Sequence, residues 1–253
     1  MKNLKQKLEL TKHIFGYTTV VKIQGKSLYF LIDTGAQKSM ISAVMASKLT
    51  IPTFDSNIII KSATEQKCCI SRICRTTISI GNCFLDEIEL LVMPKSVVFF
   101  NGKCDGILGV DVLSKLNYQI SFINKSFEIQ GYNYSFQSEI IPMFVNGNLC
   151  INAIIDTASK YSWITYDSKL CNQKKTVRRP ILEVSLTGIK IKMCEMFSYI
   201  CVYNNKFSAQ CCNIHVGRCV MRYNTTIDIV IGLDILRDVR IISKEKYLFI
   251  EDY

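Results

Sequence analysis

Two acidic residues end apolar runs in this chain in the same way. Asp33 follows Leu31-Ile32 and precedes Thr34-Gly35-Ala36; Asp156 follows Ile154-Ile155 and precedes Thr157-Ala158-Ser159. Ser39 and Ile41 stand behind the first, Ser162 and Ile164 behind the second. A carboxylate at the end of an apolar strand costs free energy unless hydrogen bonds satisfy it or its chemistry is used. A pair of carboxylates suits general acid–base work, one member accepting a proton while the other donates one.

The other chemistries open to the sequence are weaker. His13 and His215 are the only histidines, and neither has the nucleophile and base that Ser–His or Cys–His catalysis needs. The twelve cysteines contain no C-x-x-C pair. Their nearest approach to a metal pattern is Cys212-x-x-His215-x-x-x-Cys219, with Cys201 and Cys211 nearby, a spacing that matches no finger or knuckle. No metal and no cofactor are expected. So many cysteines without an export signal fit reduced thiols in a cytoplasmic setting rather than a disulfide framework. The N-terminus is polar and basic, and no apolar run approaches the roughly 20 residues of a membrane helix, so no membrane association is expected.

Lysine and arginine total 31 against 21 acidic residues, a net charge of +10. That balance allows an acidic partner such as nucleic acid. The basic residues are scattered, though, and the tightest groups, Lys174-Lys175 and Arg178-Arg179, have no aromatic interleaving. A solvated basic surface is the simpler reading, and nucleic acid is not the expected partner.

The elements that must position Asp33 and Asp156 read as strands. Short β-branched and aromatic runs recur between turn residues, among them Tyr17–Val21, Ser27–Ile32, Asn57–Ile60, Thr76–Ile80 and Ile88–Val92. Asp33 is followed by Ile107-Leu108-Gly109-Val110-Asp111, and Asp156 by Val230-Ile231-Gly232-Leu233-Asp234. The offset is constant, since 156 − 33 = 123 and 232 − 109 = 123, which marks a tandem duplication. A hairpin precedes each Asp, turning at Gln24-Gly25-Lys26 and at Asn146-Gly147. Ser42 is placed to cap a short helix carrying Val44, Met45 and Leu49 and stopped by Pro52, with Tyr166–Leu170 as a shorter counterpart. Polar tips divide Ile58–Ile70 and Leu182–Ile191 into projecting hairpins, and Asp111 and Asp234 suit the N-caps of short helices. The join between the halves falls near residues 130–140.

Asp-Thr-Gly-Ala after two apolar residues, a flap-like hairpin, and apolar-apolar-Gly-x-Asp about 76 residues later together resemble one lobe of a retropepsin-type aspartic protease. The likeness extends over most of both halves. It implies an all-β fold of two retropepsin-like β-barrel lobes, 1–130 and 131–253, related by a pseudo-twofold axis, with short helices after the Gly-x-Asp motifs. It further implies an aspartic endopeptidase in which Asp33 and Asp156 share a proton and activate a water against the scissile carbonyl. Thr34, Gly35, Ala36, Thr157, Ala158 and Ser159 would support the site, the two threonines by cross-linking the loops. The hairpins near 60–70 and 184–190 would be flaps over an extended peptide or protein substrate. Such a pseudo-dimer would act as a monomer.

The sequence departs from that pattern in three places. Ala158 stands where the family has glycine, and a catalytically silent module that only binds peptides is the alternative it raises. Gln37-Lys38, Val110 and Leu233 replace an acidic–arginine pair that many retroviral enzymes hold, so both partners are missing together. Ser159 can donate a hydrogen bond to Asp156 while Ala36 offers Asp33 no hydroxyl, so Asp156 is the expected carboxylate and Asp33 the expected acid.

Overall fold

The computed structural model describes residues 5–61, 67–94, 104–135, 139–145, 149–165, 168, 170, 177–185, 188–204, 207–217, 220–222, 224–244 and 247–252, with backbone alone for the strands between 177 and 222. Strands dominate, as the β-branched runs require.

The first half opens with two short strands, β1 (Gln6–Glu9) and β2 (Thr11–His13). The hairpin that delivers Asp33 follows as β3 (Gly16–Ile23) and β4 (Lys26–Ile32). Gln24 (φ 50) and Gly25 (φ 75) both lie in the left-handed region, the two-residue turn whose twist matches the flanking strands. After the Asp33 loop come β5 (Met40–Ser42) and α1 (Ala43–Lys48), where the Ser42 side chain accepts from the Met45 amide and caps the helix as its sequence suggests. Then β6 (Thr53–Lys61), β7 (Lys67–Ile80), β8 (Cys83–Met93), β9 (Gly106–Leu108), α2 (Val110–Leu113), β10 (Leu116–Ser121) and β11 (Ser126–Tyr132) complete this half.

The second half runs through β12 (Ile141–Val145), β13 (Leu149–Ile155), β14 (Trp163–Thr165), β15 (Val177–Ser185), β16 (Gly188–Asn204) and β17 (Phe207–Gly217). It ends with β18 (Val220–Arg222), β19 (Thr225–Ile227), β20 (Ile229–Ile231), α3 (Leu233–Leu236), β21 (Val239–Lys244) and β22 (Tyr247–Asp252).

Strand order repeats between the halves. The first sheet runs β2-β3-β4-β9-β5-β8-β7-β6, and the second runs β12-β13-β20-β14-β17-β16-β15. With β2 set aside, every neighbour relation of the first has a counterpart in the second, down to the added pairing of β3 with β7 and of β12 with β16. The parallel pairs correspond as well: β4 with β9 and β13 with β20, β5 with β8 and β14 with β17. A third sheet, β1-β11-β10-β21-β22, takes strands from both halves. In it Gln119 faces Ile242, and 242 − 119 = 123, the offset of the repeat itself.

One apolar cluster passes through both halves, with Ile23, Phe30, Ile80 and Phe127 from the first and Met143, Ile155, Ile231 and Ile241 from the second. Each of these is almost wholly buried, which removes about 1.5–3 kcal/mol of unfavourable exposure per side chain. A smaller cluster, Leu31, Met40, Ile70, Leu91, Met93, Cys104 and Ile107, lies in the first half, and Ala158 of the second half packs on it.

The sequence separates strands at 67–70 and at 76–80, because Ser71, Arg72 and Arg75 interrupt the apolar run. The structure joins them into the single 14-residue β7. Ser71, Arg72 and Arg75 are exposed while its backbone pairs with β6 on one side and β8 on the other, the register shifting after Thr76. The tips of both projecting hairpins, the Asn146-Gly147 turn and most of the Tyr166–Leu170 segment lie outside the described residues, as does part of the join near 136–138. Among the described residues no helix is long and apolar enough to cross a membrane.

Gly16 and Gly131 form a natural comparison. Both adopt φ +146, a conformation that side chains rarely allow. A Cβ on Gly131 would meet nothing within 4 Å, whereas one on Gly16 would fall 2.7 Å from the Thr157 carbonyl oxygen of the other half. Gly131→Ala is expected to cost about 1–3 kcal/mol from backbone strain alone. Gly16→Ala should cost visibly more in urea unfolding, because it also pushes the two halves apart. Equal losses would mean that the contact between Gly16 and Thr157 carries no weight.

Candidate active site

Asp33 and Asp156 each leave the end of a strand into a tight loop. The Asp33 amide donates to the Leu108 carbonyl at 3.0 Å and the Asp156 amide to the Ile231 carbonyl at 2.9 Å, so each loop is anchored to the strand ahead of its Gly-x-Asp motif. Asp33 Oδ1 accepts from the amides of Gly35 and Ala36, both at 2.9 Å. Asp156 Oδ1 accepts from the Ala158 amide at 3.0 Å. Both carboxylates are half-buried, reachable by solvent yet held by backbone donors.

Four hydrogen bonds tie the two loops together. The Thr34 hydroxyl donates to the Ile155 carbonyl at 2.8 Å, and the Thr157 hydroxyl donates to the Ile32 carbonyl at 2.6 Å. Each hydroxyl oxygen then accepts the other threonine's amide at 3.2 Å, across 123 residues of sequence. A hydroxyl has one proton to give and lone pairs to receive, and here both capacities are used. Thr34 and Thr157 are both almost fully buried, so each bond stands in for a polar group that would otherwise be unmet. The cross-link expected of these two threonines is therefore present.

The third position of each motif behaves differently in the two loops. A Cβ on Gly35 would fall 2.5 Å from Asp156 Oδ2 and 2.8 Å from Oδ1, so only glycine lets the first loop lie against the second carboxylate. Ala158, its counterpart, is half-buried, and it packs on the apolar cluster around Leu31, Met40 and Ile107. The methyl group is accommodated by hydrophobic packing from the first half.

The expected bond from Ser159 to Asp156 is not formed. The Ser159 hydroxyl donates instead to the Tyr161 carbonyl at 2.8 Å, within its own loop. Its proton is thereby committed, and the hydrogen-bond basis for making Asp156 the charged partner falls away. Ser159 supports the site through its backbone instead, its carbonyl receiving the Leu233 amide at 2.8 Å as Ala36's receives that of Val110 at 2.8 Å.

Asp111 and Asp234 also depart from expectation. The N-caps of α2 and α3 are Gly109 and Gly232, which bear no side chain, and the two aspartates sit inside the first turn. Their carboxylates reach back to the loops. Asp111 Oδ1 accepts from the Ser39 hydroxyl at 2.6 Å and amide at 2.9 Å, and Asp234 Oδ1 from the Ser162 hydroxyl at 2.6 Å and amide at 2.8 Å. The serine oxygens accept in turn from the Gly109 and Gly232 amides at 2.9 and 2.8 Å. Neither glycine has room for a Cβ, which would meet the Ala36 carbonyl oxygen at 2.8 Å in one case and that of Tyr161 at 2.7 Å in the other. Burial holds both carboxyls above the usual carboxylate range, against the opposing pull of the serine donors.

A further pair escaped sequence reasoning. Asp105 Oδ2 accepts the Tyr29 amide at 2.9 Å, and Asp228 Oδ2 accepts the Asn152 amide at 2.9 Å, each across 76 residues. They lock the strand that ends in each Asp to the strand that precedes each Gly-x-Asp. The signal was available, because Asp105 and Asp228 share the 123-residue offset (228 − 105 = 123), but neither belongs to a motif that draws attention.

Among the described residues no group of His, Cys, Asp and Glu is arranged to hold a metal ion, and the Cys201–Cys219 cluster lies where side chains are not described. Among the described residues Cys69, Cys74, Cys83, Cys104 and Cys150 are free thiols. Burial pushes Cys74 and Cys104 up to about 11, so neither is a nucleophile at neutral pH.

Two outcomes follow from these networks. Thr34→Val or Thr157→Val keeps the shape but strands a buried carbonyl and a buried amide. Each should cost about 2–4 kcal/mol in denaturant unfolding, and a loss below 1 kcal/mol would show that water replaces the hydroxyl. Asp111 binds its proton more tightly folded than unfolded, so its contribution to stability is full below an unfolded value of about 3.9 and is lost as pH rises through the folded value. Asp111→Asn keeps an oxygen for Ser39 but cannot ionise. It should gain on the wild type between about pH 4 and neutrality, and a pH-independent difference would contradict the raised carboxyl.

A search of curated proteins finds no match to the chain. A scan against family models finds one over residues 19–115, described as gag-polyprotein putative aspartyl protease. The matched stretch runs from β3 to the end of α2 and holds Asp33, the Thr34-Gly35-Ala36 loop, the first projecting hairpin and the Gly109–Asp111 motif. Its all-β architecture is that of a retropepsin-like protease. The part of the chain that carries Asp33 is thus similar to the retropepsin-like aspartyl proteases.

Proposed function

We propose that the chain is an aspartic endopeptidase in which residues 1–130 and 131–253 form two retropepsin-like lobes, each supplying one catalytic aspartate. The observation that carries this reading is the reciprocal bonding of Thr34 and Thr157, together with the Gly35 backbone lying against the Asp156 carboxylate. The constant 123-residue offset, the matching strand order and the pairing of Gln119 with Ile242 support a pseudo-twofold relation between the lobes.

In that reading Asp33 and Asp156 share one proton, since two adjacent carboxylates cannot both ionise easily. The ionised member takes a proton from a water between them while the other donates to the scissile carbonyl, and the water attacks. The amide bond breaks as the nitrogen is protonated, with no covalent intermediate. The projecting hairpins β6–β7 and β15–β16 would cover an extended peptide bound by main-chain hydrogen bonds. Both aspartates come from one chain, so a monomer would suffice. The free thiols among the described residues agree with a reducing, cytoplasmic setting.

Ala158 favours a second reading, a module of the same fold that grips peptides without cutting them. One experiment separates the two: cleavage of a peptide library from acid to neutral pH by the wild type, Asp33→Asn and Asp156→Asn. The proposed enzyme cleaves, loses at least about 10³-fold in kcat/KM with either substitution, and is blocked by a statine-type transition-state inhibitor. Cleavage that survives Asp156→Asn would instead mean dimerisation through the first lobe. Peptide binding without cleavage by the wild type would establish the silent module.

A further inference from the structure

The loops that carry the two aspartates also carry lysines that the chemistry described above does not use. Lys38 lies five residues after Asp33 and Lys160 four after Asp156, and both are exposed. Their loops are held on either side of these positions. Ser39 and Ser162 are buried and fixed by Asp111 and Asp234. Behind them Gly109 packs against the Lys38 carbonyl and Gly232 against that of Tyr161. Lys160 extends over the Tyr161 ring, its Nζ 5.1 Å from the ring centre, and Tyr161 is itself 44% exposed. Neither lysine forms an ion pair within the described residues. The two loops meet at Thr34 and Thr157, and each carries one of the lysines.

The geometry points to a peptide substrate with acidic side chains on both sides of the bond set between Asp33 and Asp156, held by Lys38 at one end and Lys160 at the other. This rests on the reading of the site as one that receives an extended peptide. Lys38 and Lys160 lie in the same tight loops as the carboxylates, each within five residues of one, so a substrate set against Asp33 and Asp156 passes close to both loops. Ala36 and Ala158, packed on the buried cluster around Leu31 and Met40, offer no charge to a side chain at the centre. The net charge of +10 adds long-range attraction for an acidic chain.

The test uses three fluorescent peptides with one apolar centre, flanked on both sides by Glu, Gln or Lys, and a matching set whose central amide is replaced by an uncleavable isostere. Affinity is read by anisotropy on the uncleavable set and kcat/KM on the cleavable one, at about pH 6 and low salt, where glutamate is ionised. The expected order is Glu, Gln, Lys, with about fivefold or more between first and last. The spread should close in about 0.5 M salt and near pH 3, where glutamate is protonated. The double variant Lys38→Glu/Lys160→Glu should reverse the order. Equal affinities across the set, or an order that the double variant leaves in place, would overturn the inference. Selective affinity with no cleavage would uphold it while removing the catalytic reading.

Discussion

The molecule depends on a contact between two loops that are far apart in sequence. Each loop begins with a carboxylate at the end of an apolar strand, where it gains nothing from burial, and each must still approach the other closely enough for the two groups to act together. The Thr34 and Thr157 hydroxyls resolve the conflict by replacing water on the buried carbonyls of Ile155 and Ile32. Each oxygen also receives an amide from the opposite loop. Neither loop can shift without leaving polar groups of the other unmet, so each carboxylate is held by the opposite half as well as by its own.

Around this contact the structure repeats one supporting arrangement twice. A serine, an aspartate and a glycine amide form a closed hydrogen-bonded set behind each loop, at separations of 72 and 70 residues in both halves. The Asp105 and Asp228 carboxylates hold the strands that feed the loops. Close backbone approach is bought at four glycines, Gly16, Gly35, Gly109 and Gly232, where a Cβ would run into the facing chain. The halves do not match at every contact. Ala158 fills with a methyl group the place that Gly35 must leave empty, and Gly16 opens a contact at a position where the second half has Glu139.

Much of this could be read from the sequence. The strands before Asp33 and Asp156 and the α1 helix capped by Ser42 follow from local pattern, and the partnership of Thr34 with Thr157 is what the resemblance to retropepsins implies. What escaped depends on contacts that pattern does not encode. A serine hydroxyl has several acceptors within its own turn, and that of Ser159 donates to the Tyr161 carbonyl, not to Asp156. Asp111 and Asp234 stand two residues past the caps, Gly109 and Gly232, and only the path of the chain shows that their carboxylates serve Ser39 and Ser162 instead. The length of β7 was hidden because Ser71, Arg72 and Arg75 look like a break, yet strand pairing on both edges overrides local polarity.

Joining both halves in one chain has a consequence for orientation. A cleft made from two identical loops presents the same surface to a strand entering in either sense, because its twofold axis maps one end onto the other. Here the ends differ. Gly35, Ala36 and Lys38 line one loop, and Ala158, Ser159 and Tyr161 hold the corresponding places in the other. A polypeptide has a head and a tail, and under the proposed reading, in which the two loops receive an extended peptide, the site would tell them apart. In that proposed reading, carrying both loops in one chain removes the degeneracy that exact symmetry imposes and leaves each end free to specialise, so that recognition would acquire a polarity as well as a sequence.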